Sequence, residues 1–410
     1  MMSRCIAAAL AAFACVSPPV EAQGFFPGAP PTADARLPYG IEAIANVRTY
    51  FFDSDNGTSQ SEAWALGGYA GLRSPWLADV LQLAVVGYTS QPLYAPASKP
   101  GSKLLLPDQD AINVLGEAFV SLRVLGQTIT GYRQLLDRPF LNPDDSRMVP
   151  NTFEAYTLLG KVGDVDYIGG YATKVKVRDA DSFQWMSNAA GGSGTQRGTA
   201  FAGATWTFRK DGFLRVDNQY TFDVFNTFYI EGHYPIPYRD VEFGVGAQYY
   251  PQRSVGEAQI GQFSTFGAGV QGTLKWKGLA MSLAYTQTGK DFETQAPYGS
   301  HPSYLHLQQV DFNQRGEKAV AVKASYDFSA DGAPGLSAAA AFGTGWDALS
   351  SKHGTPVPDQ HETDVRVDYA LPRSSLLRNL VLTFRYSWLS QSGSPMATEL
   401  RAYANYLVPF

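Results

Sequence analysis

The sequence has 410 residues, a mildly negative formal charge of −5 and an aromatic content of 13%. Basic and acidic side chains nearly balance, which excludes a polycationic chain that binds nucleic acid along its length. Its two cysteines, Cys5 and Cys15, both lie near the N-terminus, so no disulfide framework can hold the rest of the chain together.

The first 22 residues predict a secretory signal peptide. Arg4 supplies the positive start, an apolar run extends to Val16, and Val20-Glu21-Ala22 has the small-residue pattern of a cleavage site. The run is about eleven residues long, which is too short to cross a bilayer at roughly twenty. We expect the mature chain to begin near Gln23 and residues 23–410 to form a single domain, because turn clusters recur along them and no linker divides them.

Residues 137–156 contain three prolines and interrupt segments that otherwise alternate polar and apolar residues. Proline lacks a backbone donor and has a restricted φ, so this stretch neither joins a sheet nor extends as a flexible flap. An ordinary surface turn is the alternative interpretation. The residues singled out here are Asp137, Arg138, Pro139, Asp144, Asp145, Ser146, Arg147 and Pro150.

Alternating segments of about nine or ten residues recur along the chain and predict β-strands. They include residues 241–249, 320–328 and 380–388, and the last has an apolar face made of Leu380, Leu382, Phe384, Tyr386 and Trp388. Strands of this length can cross a membrane at a tilt, whereas those of a soluble sandwich average about five to six residues. The pattern therefore predicts an all-β fold, a transmembrane antiparallel β-barrel, over a soluble β-sandwich or β-helix.

If one face of each strand meets lipid, the other lines a water-filled interior, because a basic residue facing the bilayer centre costs about 2–4 kcal/mol. Counting alternate positions predicts ten basic side chains on the inner face: Arg123, Lys174, Lys176, Arg178, Arg209, Arg215, Lys323, Arg366, Arg385 and Arg401. Three of these, Lys174, Lys176 and Arg178, are expected in a row along one strand, whose outward set includes Val175 and Val177. Such rows favour small anions, above all carboxylates, which arginine binds bidentately. The inner face also carries acidic side chains, so a general porin without a preferred solute is the alternative interpretation.

The C-terminus ends on Phe410, with Tyr406 and Val408 at alternate positions before it. This pattern resembles the signal by which outer-membrane barrels are recognised for insertion. We therefore expect these three residues to address the chain to the barrel-assembly machinery of a Gram-negative outer membrane, where membrane lipid and lipopolysaccharide surround it.

Asp145-Ser146-Arg147, followed by Pro150 and Thr152-Phe153, closely resembles a motif of the OprD family of substrate-specific outer-membrane porins. Thr173 to Arg178 and Asp223-Val224-Phe225-Asn226 resemble later strands of that family in the same order. The resemblance implies a barrel of eighteen strands, with sixteen as the nearest alternative, and an inward loop at residues 137–156 that narrows the pore. It also implies passive transport of small carboxylates, by a monomer or a trimer.

An enzyme is the rival function, because some outer-membrane barrels are hydrolases. The sequence has no Gly-x-Ser-x-Gly elbow, and no metal-ligand spacing occurs among its histidines, which are His233, His301, His306, His353 and His361. We interpret them as solvated loop residues. The sequence thus predicts a channel with no enzyme activity, no cofactor and no metal, and a purely structural barrel would lack the inward basic side chains.

Overall fold

A computed structural model describes residues 35–36, 40–192, 194–350, 353–372, 375 and 377–409 of the chain. The predicted signal peptide, residues 1–22, lies outside the described residues, and so does Phe410 of the predicted insertion signal.

Eighteen long antiparallel strands form a closed barrel. In chain order they are Glu42–Asp55 (β1), Gln60–Arg73 (β2), Leu81–Tyr94 (β3), Ile112–Val124 (β4), Gln127–Gln134 (β5), Thr152–Val162 (β6), Val165–Lys176 (β7), Thr199–Arg209 (β8), Gly212–Thr221 (β9), Phe225–Tyr238 (β10), Val241–Ser254 (β11), Ser264–Trp276 (β12), Leu279–Thr288 (β13), Lys318–Asp327 (β14), Leu336–Trp346 (β15), Gln360–Ala370 (β16), Leu380–Gln391 (β17) and Ala397–Leu407 (β18). Pairing of β1 with β18 closes the sheet. The predicted fold class and the strand number of eighteen are confirmed.

The two ends of the barrel differ in their connections. At one end, two-residue turns such as 125–126 and 163–164 join neighbouring strands. Leu125 and Gly126 both have positive φ, 50° and 76°, as tight hairpin turns require. At the other end, here called the loop end, the connections are longer and include residues 95–111, 135–151, 177–198 and 289–317.

Helical structure is sparse in the part of the chain that the structure describes. Met186–Ala189 forms one α-helical turn, and Phe328–Asp331 forms a 3-10 turn. No helix among the described residues is long and apolar enough to span a membrane.

The alternation read from the sequence separates two faces of the barrel. On β17, Phe384 is 46% exposed on the outer face, whereas Thr383 is 5% exposed on the inner face. On β16, Val367 lies on the outer face, and its neighbours Arg366 and Asp368 are buried inside. The sheet therefore presents an apolar surface outward and a polar surface inward, as a membrane barrel does.

Small residues on the inner wall leave room for the long loops. Ala63 and Ala65 lie beneath Leu104 and Met148, which belong to loops 95–111 and 135–151. At Gly345 on β15, an added Cβ would lie 2.7 Å from the ring of Phe312, which belongs to loop 289–317. The interior is therefore packed by loops against part of the wall, and this packing fixes where the open path can run.

Candidate pore constriction

Residues 135–151, which we call the constriction loop, fold into the barrel. Residues 152–156, which were predicted to belong to this loop, instead begin strand β6. Leu136 and Leu141 pack in an interior apolar cluster with Phe153 of β6, and Val149 packs in a second cluster with Tyr50 of β1. The loop therefore buries an apolar side against the wall, which leaves its charged residues to face wall charges and the lumen. An ordinary surface turn would not be packed in this way.

Two ion pairs anchor this loop to the wall. Arg138 donates to both carboxylate oxygens of Asp217 on β9, at 2.7 Å each. Asp145 accepts two hydrogen bonds from Arg48 on β1, at 2.7 and 3.1 Å. Bidentate guanidinium–carboxylate pairs fix orientation as well as distance, so the loop is held from two sides of the barrel.

A third anchor involves Arg178, which was predicted to line the pore. Its guanidinium lies 2.7 Å from the Asp144 carboxylate, and it also donates to the Ser146 hydroxyl. Pro150 is anchored as well, because its carbonyl accepts from the buried Lys176 ammonium. Lys176 at the end of β7 and Arg178 just after it thus both contact the constriction loop.

Residues 289–317, which we call the second loop, also fold inward, although no pattern in their own sequence predicted it. Asn142 of the constriction loop joins the two, since its amide donates to the Ser300 carbonyl at 3.0 Å and accepts from the Ser300 N–H at 2.8 Å. A Cβ at Gly299 would lie 2.3 Å from the Asn142 side-chain oxygen, so this contact requires a glycine. Glycines at alternate inward positions of β15 were the available sequence signal.

Two wall carboxylates hold the tip of the second loop. Glu362 accepts from the backbone N–H groups of Gln309 and Val310, at 2.6 and 3.0 Å. Asp364, two residues further along β16, accepts from the N–H of Gln308 at 3.0 Å. These inward acids, expected as lumen charges, therefore position a loop.

A cavity of about 440 Å³ lies between the two loops and the wall. Its charged lining consists of four cations and three carboxylates: Lys103, Arg147, Arg178, Arg401, Asp144, Asp311 and Glu399. The cavity lining therefore carries a net charge of plus one, four minus three, when its histidines are neutral. The walls of this space are mostly polar, and Phe52 and Leu307 are its large apolar members.

Arg147 is a cation of the cavity lining that is 7% exposed. Its Nε donates to the Ser102 carbonyl at 3.0 Å, and its guanidinium lies 4.7 Å from the centre of the Phe52 ring. Among the described residues it has no carboxylate partner within ion-pair distance. Burial lowers the pKa of Arg147 to about 10, with the positive charge of Arg401 adding to the effect, so the group stays charged at neutral pH.

Lys103 is a further cation of the cavity that the sequence analysis missed. It lies in loop 95–111 and faces the same space as Arg147 and Arg178. It too has no ion-pair partner in the part of the chain that the structure describes. Burial and then the positive charge of Arg178 lower the pKa of Lys103. It follows no alternating pattern, so periodicity could not single it out.

A row of arginines does exist, but it crosses strands instead of following one. Arg366 on β16 stands directly opposite Arg385 on β17, which stands opposite Arg401 on β18. Next in the row is Phe52 of β1, over which Arg147 is stacked. The cross-strand row thus ends at the cavity.

The inward arginines of this row also contact wall groups. Arg366 donates to both oxygens of Asp368, at 2.6 and 2.8 Å. Arg401 pairs with Glu399 and donates to the Gln308 carbonyl of the second loop at 2.7 Å. Arg385 lies between them on the inner face. These contacts hold the guanidinium groups in fixed positions.

Arg215 and Lys323 also lie on the inner face. Arg215 is 2% exposed and donates to the Thr205 hydroxyl, while Lys323 is 3% exposed and donates to the His306 carbonyl. Both side chains are buried against the wall and the loops, and neither lines the cavity.

The row predicted along β7 is not present, and the reason is a register shift at Thr173. The partner of Glu154 is Lys174, but the partner of Ala155 is Ala172, so one extra residue interrupts the alternation. As a result Val175 is buried in the interior cluster that contains Leu141, and Val177 packs against it. Neither valine belongs to the outward set in which it was predicted, and Lys174 points away from the constriction.

Arg123 and Arg209 also lie away from the cavity. Arg123 is near the turn end of β4, with its guanidinium 4.1 Å from the centre of the Trp76 ring. Arg209 follows another register shift, on β8, and stacks 4.7 Å from the ring of Tyr234, whose side chain is exposed on the outer face. The parity count failed for Arg209 because a bulge lies between it and the strand centre.

Within the predicted insertion signal, Tyr406 and Val408 alternate with Asn405 and Leu407, which are buried on the inner face. Tyr406 and Val408 therefore lie on the outer face, and their role as an insertion signal stays a prediction. Asp137 of the constriction loop is exposed and Pro139 is buried beside the anchored Arg138.

The interpretation of all five histidines as solvated loop residues is wrong for His233 and His361, which lie in β10 and β16, and for His301. His301 is 2% exposed, is hydrogen-bonded to the Thr294 hydroxyl at 2.7 Å and packs edge-on against Phe140 and Tyr250. Burial lowers the pKa of His301 to about 4. Across the described residues, no group of three or more side chains could hold a metal ion.

A closed barrel of eighteen strands whose lumen is narrowed by inward loops defines the class of membrane channels known as porins. The chain belongs to the OprD family: the sequence profile described as "outer membrane porin, OprD family" matches residues 40–410. This is a family of channels and not of enzymes, as the sequence predicted. None of the curated proteins compared with the chain matches it.

Solved porin structures share the fold. OccK9 (OpdG) of Pseudomonas aeruginosa is 22% identical, with a TM-score of 0.84 over 92% of this chain and 100% of that one. OpdK of the same organism, solved with vanillate, is 22% identical, with a TM-score of 0.81 over 90% and 98%. A BenF-like porin from Pseudomonas fluorescens Pf-5 is 19% identical, with a TM-score of 0.81 over 90% and 98%.

Proposed function

We propose that this porin lets small anions, and carboxylates above all, diffuse passively across the outer membrane of a Gram-negative bacterium. The observation that supports this most directly is the pair formed by Arg147 and Lys103. Both face the 440 Å³ cavity, and neither has an ion-pair partner among the described residues. A cation already neutralised by a carboxylate attracts an anion weakly, whereas no carboxylate among the described residues neutralises these two.

The physical effect is a lowered barrier for anions. A solute that enters the cavity loses part of its hydration, and fixed cations in a narrow, low-dielectric passage compensate for that loss. Arg147 presents a planar fork suited to a carboxylate, while Lys103 acts as a more mobile point charge. Arg401 of the cross-strand row also borders the cavity, where Glu399 and the Gln308 carbonyl hold its guanidinium in place.

OpdK was solved with vanillate, which is a carboxylate, and this solved structure supports the proposed solute class by analogy of fold. The rival is a general porin without a preferred solute, in which scattered charges only set a weak ionic preference. The two differ in how strongly selectivity depends on individual residues.

Planar-bilayer recordings under a salt gradient test the proposal. We expect a reversal potential that shows anion preference, and a marked loss of that preference in Arg147→Gln and Lys103→Gln. Lys161→Gln is the matched control, since that residue lies at the turn end of β6 and is paired with Asp166 at 3.2 Å. A general porin would give three variants with the same weak selectivity as the unaltered chain.

The route to the membrane is part of the same proposal. Residues 1–22 are removed on export, and the barrel-assembly machinery reads Tyr406, Val408 and Phe410. N-terminal sequencing of protein recovered from outer membranes should therefore begin at Gln23. A start elsewhere would contradict the proposed cleavage site without affecting the channel. Monomer and trimer remain alternatives that native mass measurement separates.

A further inference from the structure

Three charged side chains form a cluster on neighbouring strands at the loop end of the barrel. Glu154 on β6 lies between Arg133 on β5 and Lys174 on β7, with its carboxylate oxygens 3.1 Å and 3.5 Å from the two cationic groups. These residues are direct cross-strand partners. Two cations share one carboxylate, so the cluster carries one net positive charge.

The cluster lies on the outer face. Its neighbours in sequence, Phe153 and Val175, are buried in the interior apolar cluster, so the alternating side chains Glu154 and Lys174 point the other way. Arg133 donates to the carbonyl of Leu115, whose own side chain is 47% exposed on the outer surface. The register shift at Thr173 is what turns Lys174 outward.

The surroundings indicate the depth at which the cluster meets the membrane. Phe183 lies 4.2 Å from the Arg133 guanidinium, and Trp185 lies 5.5 Å from the Lys174 ammonium. Aromatic side chains of this kind mark the boundary between hydrocarbon and headgroups in membrane barrels. Charged groups on the outer face are tolerated there and costly at the bilayer centre.

A hydrogen-bonded group of polar side chains on the adjacent strands indicates the same depth in the membrane for the cluster. On the outer face of β3 and β4, Asn113 accepts from Thr89 and Gln91 at 2.8 and 2.9 Å. Polar side chains thus occur on the outer surface of consecutive strands near the loop end, beside exposed apolar ones such as Leu93, whereas Val120 and Leu122 expose apolar side chains further down β4. The cluster therefore lies at headgroup level.

We propose that Arg133 and Lys174 bind a phosphate of the lipid A part of lipopolysaccharide in the outer leaflet. This rests on the proposed outer-membrane location. The arginine fork and the lysine ammonium supply charge-assisted hydrogen bonds to phosphate oxygens, and Glu154 holds both groups in place. Phe183 and Trp185 supply apolar surface beside the acyl chains.

Native mass spectrometry of the full barrel in detergent, with diphosphoryl lipid A as the probe, tests this site. We expect the double variant Arg133→Gln/Lys174→Gln to retain at least several-fold less lipid A than the unaltered chain. Lys161→Gln removes a positive charge at the turn end of β6 and should retain as much as the unaltered chain. Heat-modifiable migration on gels confirms that each variant is folded.

Two further arms identify the ligand group. Lipid A stripped of its phosphates should bind the unaltered barrel as weakly as diphosphoryl lipid A binds the double variant, and inorganic phosphate should not displace the lipid. The proposal would be overturned if the double variant retained as much lipid A as the unaltered chain, or if Lys161→Gln lost as much as the double variant. Full binding of the dephosphorylated lipid would overturn it as well. Single-channel conductance of the same samples reports the channel separately, so a failed channel and a failed lipid site are distinguishable.

Discussion

The side-chain amide of Asn142 is bonded to Ser300 in both directions, donating to its carbonyl and accepting from its N–H, at 3.0 and 2.8 Å. This contact joins the constriction loop to the second loop across the lumen, far from any strand pairing. The width of the passage therefore depends on two loops that hold each other as well as on the wall.

Asn142→Ala should loosen this contact. It leaves the buried N–H of Ser300 without its partner, which costs about 1–3 kcal/mol. We expect larger and noisier single-channel conductance from an intact barrel. Asn113→Ala, on the outer face of β4, is the control. Unchanged conductance in both would mean that the contact does not set the width.

Arg178→Gln and Lys174→Gln should behave differently although both residues come from one end of β7. The first removes a cation from the cavity lining, so anion-over-cation permeability should fall. The second removes a cation from the outer face and should leave permeability as it was. Reversal potentials under a salt gradient measure both, and an equal fall in the two variants would contradict the register shift at Thr173.

Arg138→Ala should destabilise the barrel by about 3 kcal/mol or more, because it leaves the largely buried Asp217 without a partner. Unfolding in urea from lipid vesicles, followed by tryptophan fluorescence, gives the free energy. The double variant Arg138→Met/Asp217→Leu should recover much of the loss, since the carboxylate of Asp217 is then removed together with its partner. A double variant as unstable as the single one would show that the hydrogen bonds themselves are needed.

Acidification should loosen the second loop through His301. Its native pKa of about 4 lies below the ordinary value of 6.5, so the unfolded loop binds more protons between these values. The stabilisation that the neutral ring provides is therefore present above about pH 6.5 and is lost as the pH falls toward 4. Single-channel noise should rise between pH 7 and pH 4.5. His301→Gln should remove this component of the pH dependence, and a variant with the same profile would assign it to other groups.

The sequence by itself determined the fold class, the strand faces and the constriction loop. Alternation with a period of two is a local property of the chain, so the apolar set on β17 could be assigned without knowledge of its neighbours. The prolines at positions 139, 143 and 150 likewise exclude strand structure locally, and strand β6 begins only at Thr152. The family motif at Asp145-Ser146-Arg147 then supplied the strand number and the inward direction of that loop.

Tertiary structure decided which charges meet. Arg366, Arg385 and Arg401 form a row because the register between three strands places them opposite one another, and register is a property of pairs of strands. A single extra residue at Thr173 sends Lys174 to the outer face, since alternation holds on each side of a bulge but not across it. Lys103 and the second loop have no periodic pattern at all, and their place in the cavity follows from packing against small residues on distant strands.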